Sequence, residues 1–167
     1  MPFITEFDHW RYPLLIVWII LFFGGGKSLK ITLFLLALMV GILDYSNSFF
    51  FKPIFERLRP CNALAGVHLF GGCPSSFSFP SNHAANIFSA AFFLGFIYRG
   101  WSPLLLFAAV VVGYSRVYVG EHYPFDVAGG LLLGFLGTVL FLGVRRGWLS
   151  LGRKADNLQS QSDKETG

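Results

Sequence analysis

Apolar and polar stretches alternate along the chain, giving five apolar runs at residues 10–26, 31–51, 84–98, 103–119 and 125–144. Each is near the roughly 17–25 residues that a helix needs to cross about 30 Å of hydrocarbon, the third being the tightest fit. The first closes on Gly24, Gly25 and Gly26. The connector at 52–83 is too polar, and too rich in Gly, Pro and Ser, to span. The pattern predicts an all-α integral membrane bundle of about five transmembrane helices. It divides into an interfacial segment at 1–12, a transmembrane domain at 13–146 and a polar cytoplasmic tail at 147–167. The QSQSDKETG end of that tail reads as disordered.

Composition narrows the class. Residues of the AVILMFWYC set make 54% of the chain, with 20 Phe, while charged residues make only 13%. A water-soluble domain of 167 residues could not hide that much apolar surface behind so few charges. Disorder and a disulfide-dense scaffold are excluded by the same numbers. The net charge of +4 is spread in ones and twos between the runs, with no basic stripe, so no nucleic-acid partner is expected. The start, with Glu6 and Asp8, lacks the positive region of a secretory signal.

The cations report orientation instead. Lys27, Lys30, Arg99, Arg145, Arg146, Arg153 and Lys154 fall on one side of a five-span chain, which the positive-inside tendency makes the cytoplasm. The other side then holds the N-terminus, the 52–83 connector and the 116–124 turn, and with them Lys52, Arg57, Arg59 and Arg116. Cations kept there call for an anionic ligand. The Gly130–Gly134 pair reads as close packing inside the bundle rather than a dimer face. Asp44, Tyr45, Ser46 and Asn47 either line a cavity or bond helix to helix. Cys61 and Cys73, the only cysteines, share the outer connector as a disulfide or as two reduced thiols. His9 and His68 read as wetted surface side chains.

Three segments gather on the outer side: Lys52 to Pro60, Pro80 to His83, and Ser115 to Asp126. A phosphoryl group in transit spreads charge over three oxygens, so catalysis is mostly positioning and electrostatic stabilisation. Lys52, Arg59 and Arg116 can supply fixed positive charge. Pro80-Ser81 before an apolar run reads as a capped helix start, whose free N–H groups favour an anion. His122 and Asp126 lie four apart, so the carboxylate can hold the ring and leave its other nitrogen free to attack. His83 remains as the acid that protonates the leaving oxygen. Arg59 or Arg116 alone would read as a snorkelling side chain. A metal site is the rival for two His and an Asp, weakened by nearby cations and by the absence of further ligands at suitable spacing.

These residues resemble the signature of the type 2 phosphatidic acid phosphatases (PAP2): K-x6-RP, PSxH and SR-x5-H-x3-D. It stands here as Lys52…Arg59-Pro60, Pro80-Ser81-Asn82-His83 and Ser115-Arg116…His122…Asp126, with Asn82 where Gly or Ser is common. The resemblance implies a helical bundle with a phosphate site near the outer leaflet, and a phosphohistidine mechanism. His122 would be the nucleophile, Asp126 its orienter and His83 the general acid. Lys52, Arg59, Ser81, Asn82, His83 and Arg116 would bind phosphate, the middle three partly through main-chain N–H groups. Expected substrates are phosphatidylglycerol phosphate, undecaprenyl diphosphate, phosphatidic acid or lipid A phosphates, at the extracytoplasmic face of a bacterial inner membrane. Phosphotransfer to a second lipid, or non-catalytic lipid-phosphate binding or carriage, are the other readings. No metal or other cofactor and no obligate protein partner is expected; the partners are the lipid substrate and the bilayer.

Overall fold

The computed structural model describes residues 7–64 and 72–165, and within these residues the regular structure is entirely helical. Helix α1 runs Phe7–Gly24 and α2 Lys27–Ser46; α2 continues through a π-helical turn, Asn47–Phe51, into the short α3, Lys52–Phe55. A second short helix, α4, spans Pro60–Ala63. Then come α5, Asn82–Ile97, α6, Ser102–Tyr118, and the long α7, Pro124–Glu165. These match the five apolar runs. Three stretches, Lys27–Ala63, Arg99–Tyr118 and Pro124–Lys154, are long and apolar enough to cross a membrane, and the apolar parts of α1 and α5 are shorter.

α5 sits at the centre, packed against α2, α6 and α7. Its contact with α7 depends on glycine: a Cβ on Gly130 would lie 2.6 Å from the Ser81 carbonyl oxygen, and one on Gly134 would lie 2.8 Å from that of Ala85. Main chain therefore meets main chain, and the small-residue pair packs the bundle internally, as its spacing predicts. Thr138 tightens the seam by donating to the Ser89 carbonyl at 3.2 Å. Leu35, Met39, Phe93 and Phe141 form one core cluster, and Ala84, Phe88, Ala91 and Ala109 form another. Large apolar side chains such as Phe107, Leu140 and Phe125 point outward. That is the expected inversion where lipid, not water, is the solvent.

The expectation for the C-terminal tail is revised. α7 does not stop near Arg146 but stays helical to Glu165, so the tail is not disordered over that length. After Gly152 it holds neither Pro nor Gly and is rich in good helix formers. A helix already nucleated upstream extends through such residues easily. At the other end α1 runs unbroken from Phe7 through Pro13 to Gly24. His68 and the side chain of His9 lie outside the described residues.

Candidate active site

Helix α2 ends in the π turn, a local irregularity that recurs at functional sites. It delivers Lys52 to the cleft wall, 6% exposed. Glu56 then takes a left-handed conformation (φ 44°) that ends α3 and sends the chain extended towards Arg59. Pro60 opens α4, and the Cys61–Cys73 disulfide turns the chain back. The returning segment lies against Arg59, whose Nε donates to the Ser76 carbonyl at 2.8 Å and whose Nη2 donates to Ser76 Oγ at 3.0 Å. Ser81 caps α5 as its position predicts, its hydroxyl accepting from the Ala84 N–H.

The result is a cleft of about 440 Å³ whose lining includes Asp44, Ser48, Lys52, Arg59, His83 and His122. Asn82 and Glu121 also face it. Asp44 fills both roles its position allowed. It lines the cleft and accepts from the side-chain amides of Asn82 (2.9 Å) and Asn86 (3.0 Å), tying α2 to α5.

His122 precedes α7 and is 2% exposed. Its Nε2 lies 3.3 Å from Arg59 Nη1 and its Nδ1 3.4 Å from Ser78 Oγ. Asp126 Oδ2 stands 3.6 Å from Nδ1, an ion-pair distance too long for a hydrogen bond. Burial, foremost, and the nearby charges of Arg59 and Lys52 hold the imidazole below its ordinary value of 6.5, against the opposing pull of Asp126. The surroundings therefore favour the neutral form of the ring.

Asp126 is fully buried and closely held. Arg57 Nη1 pairs with its Oδ1 at 2.9 Å, while its Oδ2 accepts from the Ser78 hydroxyl and from the Tyr123 N–H at 2.8 Å. The Asp126 carbonyl accepts the Ser81 N–H at 3.0 Å, so the third motif is bonded directly to the second. Arg116 is 5% exposed; its Nη1 donates to Glu121 at 3.2 Å, and its Nε is buried with no partner among the described residues.

Of the residues singled out in the sequence, Lys52, Arg59, Asn82, His83 and His122 line the cleft. Ser81, Arg116 and Asp126 stand behind its wall, acting on its lining rather than forming it. Four participants went unmarked: Arg57, Ser76, Ser78 and Glu121. Arg57 was visible only as one more outer cation, and serines in a Ser-rich connector carry no spacing signal.

Known proteins resemble the chain in sequence and in fold. The PAP2 superfamily model matches residues 29–148. The undecaprenyl-diphosphatase of Sulfolobus acidocaldarius is 32% identical over 149 residues, covering 87% of this chain and 68% of that protein. The undecaprenyl-diphosphatase BcrC of Bacillus subtilis is 34% identical over 143 residues, covering 84% of this chain and 71% of its own length. The crystal structure of a transmembrane PAP2-type phosphatidylglycerolphosphate phosphatase from Bacillus subtilis superimposes with a TM-score of 0.64 at 29% identity, covering 86% of this chain and 74% of that one. Helices, cleft and relatives lead to one conclusion: the chain belongs to the PAP2 superfamily and is a lipid phosphate phosphatase of the membrane.

Proposed function

We propose that this phosphatase removes phosphate from a lipid phosphate or diphosphate through a phosphohistidine on His122, without a metal, at the extracytoplasmic leaflet. The observation that carries the reading is the cleft, where two cations and two imidazoles, Lys52, Arg59, His83 and His122, face one space. Arg116 stands behind it, paired with Glu121 of the lining, and adds positive charge to the site without forming its wall. The first-turn N–H groups of α5, where Asn82 and His83 begin the helix, add donors for an anion.

In the first step His122 Nε2 attacks phosphorus as the bond from phosphorus to the leaving oxygen breaks. The electron pair goes to that oxygen, which takes a proton from His83. A monoester releases the lipid alcohol and a diphosphate releases the lipid monophosphate. Water then attacks the phosphohistidine and gives a proton to His83, and inorganic phosphate departs with His122 restored. Cations and donors fixed in place stabilise the charge spread over the transferring group.

The cleft lies at the end of the bundle away from Lys27 and Arg145. α2 runs from Lys27 to the cleft, and α7 runs from Asp126 to Arg145. The positive-inside tendency then supports an outward-facing site. A substrate can keep its tail in the bilayer while its headgroup enters. The names of the relatives support undecaprenyl diphosphate and phosphatidylglycerol phosphate as candidates, with phosphatidic acid and lipid A phosphates beside them.

The test is phosphate release by purified protein in detergent and chelator, over a panel of these lipids, with acid-labile phosphate trapped on the protein in a rapid quench. Release from at least one lipid and a trapped phosphohistidine are expected. No release from any of them, or activity lost in chelator and restored by a divalent metal, would overturn the reading.

A further inference from the structure

We propose that Ser78, which belongs to none of the three motifs, is a positioning residue that fixes the tautomer of His122 and transmits to it the hold of Asp126. The assignment rests on the phosphohistidine reading and adds a member to its machinery. The partners of the ring settle its protons from both sides. Arg59 Nη1 lies 3.3 Å from Nε2, and a guanidinium has donors only, so Nε2 carries the lone pair. On the other side Ser78 Oγ donates to Asp126 Oδ2, since an ionised carboxylate only accepts. The hydroxyl then offers a lone pair to Nδ1, 3.4 Å away, and Nδ1 carries the hydrogen.

Asp126 does not make this contact itself, standing 3.6 Å from Nδ1. Nor is it free to swing closer. Arg57 holds its Oδ1 at 2.9 Å and the Tyr123 N–H holds its Oδ2 at 2.8 Å. Ser78 is anchored in turn, its N–H donating to the Arg57 carbonyl at 2.7 Å, and it is wholly buried, so no bulk water competes for its hydroxyl. One order of protons satisfies every group: Nδ1–H to Ser78, Ser78 O–H to Asp126. It leaves the Nε2 lone pair directed at Arg59 on the cleft wall, where a phosphoryl group would replace the guanidinium contact.

The experiment uses full-length protein with ¹⁵N-labelled histidine in detergent micelles, the His122 ring signals being assigned by their absence in His122→Gln. Above its pKa, His122 should show a protonated Nδ1 and a bare Nε2. Ser78→Val should give mixed tautomers and lower kcat about tenfold to a hundredfold, the loss typical when a partner orienting a ring through its other nitrogen is removed. KM should barely move. Ser78→Thr, which matches Val in shape and restores the hydroxyl, should recover both the tautomer and most of the rate. A wild-type Nε2–H tautomer overturns the assignment even if phosphate is trapped on His122, and so does Ser78→Val with wild-type rate and tautomer. The wild-type spectrum needs no variant to fold. A bare Nε2 with no phosphohistidine trapped would instead remove the reading on which the assignment rests.

Discussion

Arg59, at the cleft end of the bundle, is 4% exposed, with its guanidinium shared among Ser76, the Glu121 carbonyl and His122. Arg145, at the other end, donates to the hydroxyls of Thr32 at 2.9 Å and Ser28 at 3.1 Å, the second bond lying at the surface. The two ends thus treat one side chain in opposite ways. Arg145 keeps access to water, so it stitches α7 to α2 at little desolvation cost. Arg59 has been taken out of water close to Lys52 and Arg116, and burying a charge costs several kcal/mol unless partners compensate. Its carboxylate partner, Glu121, is 3.9 Å away and is shared with Arg116. A protein gains nothing in stability from crowding cations so. The arrangement has a physical reason if a multivalent anion completes it.

Substitution should disable the cleft end most severely at His122, the proposed nucleophile. His122→Ala should remove both turnover and phosphoenzyme, since no other nucleophile is placed to replace it. His83→Ala should cripple turnover of an alkyl lipid phosphate but largely spare an activated aryl phosphate, whose leaving group scarcely needs a proton. Turnover of the two substrates side by side checks both variants. Equal losses on both substrates would deny His83 its role as acid.

Arg59→Gln and Arg145→Gln test the comparison itself. Losing one fixed donor to transition-state charge typically costs about 10²–10³ in kcat, the loss expected at Arg59. At Arg145 kcat should change less than twofold, with an effect on thermal stability only. Comparable losses at the two ends would erase the distinction.

The disulfide sharpens the comparison, because only the cleft end carries one. Cys61 lies two residues after Arg59 and Cys73 three before Ser76, so the bond closes the loop that keeps Ser76 against the guanidinium. Reduction, or Cys61→Ala with Cys73→Ala, should lower unfolding stability by about 3 kcal/mol on the chain-entropy account of so short a loop. KM should rise as Arg59 loosens. Thermal melts and kinetics with and without reductant read both, and the Arg145 end should be indifferent.

The smallest expected effect is on pH dependence. In the proposed mechanism the neutral form of His122 attacks; its pKa is depressed, so kcat/KM should persist as pH falls past 6.5 and be lost only lower, through the depressed value. Removing a cation raises that pKa, so the residual activity of Arg59→Gln should fail at a higher pH than wild type. A limb that stays in place would show that Arg59 does not act on the ring.

Much was legible in the chain because it rests on local rules. Apolar run length gave the helices, and cations on the wrong side gave the end of the bundle where the cleft lies. Ser81 before an apolar run gave the cap, and the spacing of His122 and Asp126 placed the two side chains near each other. Only the tertiary structure decided the rest. It showed that α7 meets α5 main chain to main chain at Gly130 and Gly134, that Cys61 and Cys73 are joined, and that Asp44 ties two helices while lining the cleft. It also set Ser78 between His122 and Asp126, and Arg57 on the outer carboxylate oxygen. These last contacts join residues 44, 48 and 69 positions apart in the chain. No periodicity or motif spacing encodes such a distance. A serine or an arginine in a connector takes on a role only when the packing of α5 against α7 brings it to the site.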